Sequence, residues 1–206
     1  MSHNQLLTGI QSAGNGAMVT ARGGRGGDQI SSDYSARYYQ QTKDGLCYTA
    51  ATQALVTTTV GLNTTYTGLV ISNPVGAAVD MVILQASMMQ SVLQGTQVEA
   101  FAIATGFNAT TNVTHTTPVA PKSSYVGSGL SGVGLADVSA TLPTAPFYDT
   151  FFTNTGTATA DSTGVQVLDV SGSIVLKPGA YAMFVTPAQA SVAGMWFSFK
   201  WAEVQL

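Results

Sequence analysis

From residue 45 onward, Val, Ile, Thr and aromatic side chains recur in short runs, and turn residues interrupt them roughly every ten positions, the spacing of an all-β sandwich or barrel. Residues 66–71 form one such run, closed by Ser72-Asn73-Pro74, where proline has no amide for a ladder and holds its predecessor extended. Residues 79–86 form a second. Residues 98–104 form a third, with Phe101 and Ile103 sharing a face by the period of two. Residues 165–170 and 174–176 predict further strands, Lys177-Pro178-Gly179 a type II turn, and residues 181–185 the returning strand. In the last segment Met195, Phe197, Phe199 and Trp201 alternate with Trp196, Ser198, Lys200 and Ala202, so one face of that strand is expected to be buried. Trp196 lies on the more polar face, where its own domain or an interface must cover it. Residues 87–93 fit either a helical turn or a continuation of the strand before them. Loops rich in Thr, Gly and Ser are expected over 105–117 and 122–134, and no internal repeat is visible.

The first 44 residues follow a different pattern. Gly14, Gly16, Gly23, Gly24, Gly26 and Gly27 punctuate a polar stretch that also holds Arg22, Arg25, Arg37 and Lys43, four of the seven cations. With so little apolar periodicity, such a segment cannot bury enough surface to offset its ordering entropy. It predicts an extended arm, residues 1–44, ahead of a β-sandwich domain, residues 45–206, and contacts with other chains are expected to hold the arm. At about 3.3 Å per residue, forty extended residues reach roughly 130 Å.

Composition narrows the possible partners. Charged side chains make up 8% of the chain and the net charge is −3, against about 25% charged residues in ordinary domains. The surface must therefore be built from Thr, Ser, Asn, Gln and Gly. A pI near 5.0 with seven dispersed cations supplies no basic footprint, so no nucleic-acid partner is expected. No apolar run approaches the length of a membrane span, so no membrane partner is expected either. The first thirty residues lack the charged-then-apolar order of a signal peptide, and Cys47 is the sole cysteine, which together fit synthesis in a reducing cytoplasm.

Candidate chemistry is sparse. His3 and His115 are the two histidines, and no HxH, HExxH or CxxC spacing is present, so no metal site and no cofactor is expected. Cys47 and His115 could form a nucleophile and base, but Cys47 sits in a strand-like run where a small buried hydrophobe is the expected role. The acids are single and dispersed in turn-like contexts, among them Asp44, Asp80, Asp137 and Asp149, with no pair signalling glycoside hydrolysis. Catalysis is not expected. Residues 22–27, Arg-Gly-Gly-Arg-Gly-Gly, resemble an RNA-contacting segment, but two arginines fit better as forks for carboxylates on a neighbouring subunit. Three glycosylation sequons, at Asn63, Asn108 and Asn112, are chance matches in a Thr-rich chain. The low charge itself points to assembly, because a β-protein alone in solution guards its strand edges with charge, and neighbouring subunits remove that need.

The Gly-rich arm, the segment YTGLVISNP at 66–74, the long Thr/Gly loops, IVLKPGAY at 174–181 and the closing MWFSFKWAEV together resemble virion structural proteins of tailed bacteriophages. The likeness is to the small jelly-roll cement or decoration proteins on the outside of the capsid, and it covers residues 45–206. The resemblance implies a jelly roll, a homo-oligomer (a trimer) on the major capsid protein at symmetry axes of the shell, and stabilisation against internal DNA pressure. On this reading Arg22, Arg25 and Arg37 pair with acidic groups of neighbouring capsid subunits, Tyr38 and Tyr39 fill pockets, and Trp196 lies at a subunit interface. The rival is a head-fibre or tail-fibre adhesin whose loops at 105–134 bind a host glycan or protein, with Phe107 and Tyr125 as the available aromatics.

Overall fold

A computed structural model describes residues 36–90, 100–153, 165–187 and 194–206. The chain divides into two units, Met1–Tyr39 and Gln40–Leu206, and the second carries the fold. Most of the segment expected to be an extended arm, including Arg22 and Arg25, lies outside the described residues. Its last part is helical: α1, Tyr39–Lys43. The Gln40 amide donates to Asp44 Oδ1 at 2.9 Å one turn on. The helix ends in a Schellman arrangement, with Gly45 N–H donating to Thr42 O at 3.1 Å and Leu46 N–H to Gln41 O at 2.9 Å. Gly45 takes the left-handed φ of 77° that this cap requires.

Among the described residues thirteen strands follow in two antiparallel sheets, packed as a β-sandwich. They are β1 (Cys47–Ala51), β2 (Thr65–Ser72), β3 (Val79–Gln90), β4 (Ala100–Phe107), β5 (Thr114–His115), β6 (Pro118–Val119) and β7 (Lys122–Ser123). After these come β8 (Leu135–Thr141), β9 (Phe147–Thr153), β10 (Gln166–Asp169), β11 (Val175–Leu176), β12 (Ala180–Val185) and β13 (Met195–Gln205). The six-stranded sheet runs β10-β3-β13-β1-β7 with β11 also on β3, and the seven-stranded sheet runs β5-β8-β2-β12-β4-β9 with β6 also on β8. The first and last strands of the sandwich are neighbours, Cys47 opposite Ala202 and Ala51 opposite Ser198.

The alternation expected along the last strand is present: Met195, Phe197, Phe199 and Trp201 are buried between the sheets. They meet Leu69, Ile71, Phe101, Ile103 and Phe184 of the opposite sheet. The Phe184 ring stands 4.6 Å from Phe197 and 4.5 Å from Phe199, centroid to centroid, a contact range that adds to simple area burial. A second cluster of Tyr66, Val70, Ala102, Ala104, Tyr181, Met183 and Val185 occupies the other face of the seven-stranded sheet. β12 is therefore buried on both faces, and its unbroken apolar sequence is what such a strand needs.

Residues 87–93 resolve in favour of the strand as far as Gln90. A bulge explains the ambiguity. The β3 register against β13 slips so that Gln85 opposes Lys200 and Ile83 opposes Trp201, leaving Leu84 as the extra residue. Val79, Met81 and Ile83 face the core before it, and Ala86, Met88 and Gln90 after it. The Lys177-Pro178-Gly179 turn forms as expected, with Ala180 N–H donating to Lys177 O at 2.9 Å and Gly179 at φ 88°. A Cβ at Gly179 would lie 2.2 Å from the Asn108 carbonyl oxygen. The expected loops are shorter than the sequence suggests. β4 reaches Phe107, and β5, β6 and β7 break up residues 105–134. β8 and β9 carry no simple alternation because each contains a bulge or pairs across one.

Candidate functional site

Of the residues singled out as interface candidates, Arg37, Tyr38 and Tyr39 belong to the first unit and Trp196 to the second. Arg22 and Arg25 lie outside the described residues. The Arg37 guanidinium carbon sits 5.3 Å from the centre of the Tyr38 ring, a cation–π pair, and Tyr39 is exposed. Trp196 is half-buried on β13, opposite Met89 of β3.

The chemistry the sequence failed to flag is a row of three side chains. Ser72, at the end of β2, places Oγ 3.3 Å from His115 Nε2, and His115 Nδ1 lies 3.4 Å from Asp137 Oδ2. No spacing in the sequence announces this row, because β2, β5 and β8 bring it together only through the sheet. The order of atoms is that of a serine nucleophile, base and orienting acid, but the surroundings give each member another task. Asp137 is fully buried, and its carboxylate accepts from Ser139 N–H at 2.6 Å and Thr117 N–H at 3.1 Å, holding the β6–β8 crossing. Ser72 is 4% exposed and sits inside the ladder between Tyr181 and Leu135. The arrangement braces one edge of the sheet.

Glu203 is used the same way. Its buried carboxylate accepts from Val133 N–H at 2.9 Å, Gly134 N–H at 2.9 Å and Trp201 Nε1 at 3.1 Å. Gly132 and Gly134 make that approach possible, since a Cβ on either would meet Glu203 Oε1 at 2.6 Å or Met81 Cε at 2.7 Å. Burial, then the Glu203 charge, push the Tyr48 hydroxyl above its ordinary value. Burial likewise raises the Cys47 thiol, which keeps it protonated, and Cys47 and His115 stand on different sheets. Among the described residues no group of three or more His, Cys, Asp or Glu side chains could hold a metal ion, and no helix is long and apolar enough to cross a membrane.

No family model, no curated protein and no solved structure matches the chain.

The remaining candidate is an open cleft of about 560 Å³ at the mouth of the sandwich, lined by Phe107, Thr144, Phe147 and Asp149 from the seven-stranded side and by Val175 and Lys177 from the other. The Lys177 ammonium stands 4.0 Å over the Phe107 ring. Phe147 is 60% exposed, and Phe151, two residues past Asp149 on the same strand, is 63% exposed. At the far end of the loops, Lys43 covers the exposed Tyr125 ring at 4.5 Å.

Proposed function

We propose that the chain is a structural protein of a tailed-phage virion, a capsid cement or decoration protein of jelly-roll type that binds the outer shell of the head as a homo-oligomer. The observation that carries this reading is a charge-poor β-sandwich whose buried acids are spent on backbone amides while large apolar side chains stand exposed along a strand edge. Such a surface suits a subunit among neighbours better than a lone enzyme. The partners in this reading are the major capsid protein and other copies of the chain, with no catalysis, cofactor, nucleic acid or membrane. Residues 1–44 act as an arm across neighbouring capsid subunits, through Arg22, Arg25, Arg37, Tyr38 and Tyr39, and Trp196 contributes to a subunit contact. The protein is made in the host cytoplasm and ends on the capsid surface.

One observation favours the second reading, a head-fibre or tail-fibre adhesin: both loop aromatics it needs, Phe107 and Tyr125, are exposed. Copy number separates the two. Quantitative mass spectrometry of purified particles against the major capsid protein is expected to give hundreds of copies in fixed ratio to the shell. A few dozen or fewer would move the assignment to a fibre, and absence from particles would sink both.

A further inference from the structure

Both sheets end at the cleft. On the seven-stranded side, β4 pairs with one edge of β9, and among the described residues nothing pairs with the other. On the six-stranded side, β10 and β11 close the sheet against β3. A free edge carries a row of unpaired amides and carbonyls, and proteins guard it with Lys, Pro or a covering segment. β9, with the sequence FYDTFFT, contains neither Lys nor Pro. Its bulge acts in the opposite direction. The register passes from Ala104 opposite Tyr148 to Ile103 opposite Thr150, so Asp149 is the extra residue. The phase change aims Phe147 into the cleft and Phe151 onto the outer face beside Tyr148, 5.2 Å between ring centroids. Across the cleft, Val175 of β11 is also about half exposed, at 50%.

We propose that this side of the sandwich, centred on Phe147 and Phe151 and continued across the cleft by Val175, is the surface through which copies of this chain bind one another. The inference rests on the homo-oligomer of the proposed function and names its face. A second copy is the occupant because the patch is complementary to itself. It carries one acid, Asp149, and one base, Lys177, on opposite lips of the same cleft, so a neighbouring copy can set its Lys177 against Asp149, whereas a strongly acidic or basic partner meets one matched and one opposed charge. An identical chain also brings a strand edge to the side of β9 that no described strand pairs.

The test is analytical ultracentrifugation of the full chain over a concentration series. The wild-type protein is expected to sediment as a discrete oligomer. Phe147→Lys with Phe151→Lys should weaken assembly by about a hundredfold or more, as for buried aromatic anchors, with an unchanged circular-dichroism spectrum because both side chains are mostly exposed. Asp149→Lys alone should also weaken assembly, and adding Lys177→Asp should restore it, a rescue that a folding defect cannot imitate. If the double Phe variant keeps the wild-type mass, this face is wrong and the homo-oligomer stands. If the wild-type chain is monomeric throughout, both fall, and the particle copy number still tests the capsid assignment. A monomer whose cleft signals shift in NMR on adding maltohexaose would hand the cleft to a soluble saccharide instead.

Discussion

Single residues in this fold are placed by what their neighbours lack. Tyr66 is fully buried, its hydroxyl 2.6 Å from the Phe184 carbonyl and 3.1 Å from that of Leu69. It fits only because Gly68 has no Cβ, which would stand 2.1 Å from that hydroxyl. Tyr181 and Gly106, opposite each other across β12 and β4, repeat the device. Tyr66→Phe removes both hydrogen bonds and should cost about 1–2 kcal/mol in urea unfolding. Burial holds the Tyr66 proton far above the ordinary tyrosine value of 10.0, and Tyr48 and Tyr181 shift the same way. Below pH about 10 the hydroxyl is protonated in both states and stability does not depend on it. Above that pH the unfolded chain loses the proton and the folded chain keeps it, so stability should fall by about 1.4 kcal/mol per pH unit on account of Tyr66 alone. Thermal melts from pH 8 to 11 should show that decline, shallower in Tyr66→Phe. The Ser72–His115–Asp137 row makes a different prediction: a serine-directed fluorophosphonate should leave Ser72 unlabelled, because its Oγ is inside the ladder. Labelling that His115→Ala abolishes would make the row catalytic.

At the scale of elements, what the sequence disclosed depended on whether a strand kept one phase. β12 and β13 hold simple patterns and the Lys177-Pro178-Gly179 turn uses Pro and Gly, so they were legible, down to the type II geometry at Gly179, and β2 was legible from its apolar run and Pro74 although its register shifts between Thr67 and Val70. β3 changes phase at Leu84, and a sequence whose apolar positions jump from odd to even looks half helical around Met88 and Met89. β8 and β9 were invisible for related reasons: Asp137 occupies a buried position, and Asp149 interrupts β9. The candidate site was less legible still. Ser72, His115 and Asp137 converge through sheet pairings 22 to 65 residues apart, and no spacing rule encodes those. The β3 account is testable. Deleting Leu84 removes the bulge, so that Ile83 and Gln85 become consecutive opposite Trp201 and Lys200 and the buried positions on either side fall into one alternation, whereas deleting Leu84 and Gln85 together turns one half of the strand inside out. The single deletion should keep cooperative unfolding and near-ultraviolet circular dichroism, and the double deletion should abolish both. Leu84→Ala keeps the residue count and should cost only about 2–3 kcal/mol, the loss of one buried side chain.

For the whole molecule, the distribution of charge divides the labour. Residues 1–44 carry four cations against three acids, and residues 45–206 three cations against seven acids. Two of those seven, Asp137 and Glu203, are buried on backbone amides and contribute to folding instead of to a surface field. The sandwich is therefore held by packing and backbone pairing, and the three arginines lie within residues 1–39, the first unit. Removing residues 2–39 starts the chain where the second unit begins and keeps the Gln41 and Thr42 carbonyls that cap α1 against Gly45 and Leu46. The truncated protein should melt cooperatively within a few degrees of the full chain. If the arm is the capsid clamp, the truncated protein should no longer co-sediment with particles stripped of this chain. Binding by the full chain should also weaken between about 0.05 M and about 0.5 M salt, where screening shortens the reach of Arg22, Arg25 and Arg37 to a few ångströms. Capsid binding that survives both the truncation and the salt would place attachment on the sandwich itself. The arm would then be a tether without a clamp, and the shell-facing surface would have to be sought on the sandwich away from the self-association edge.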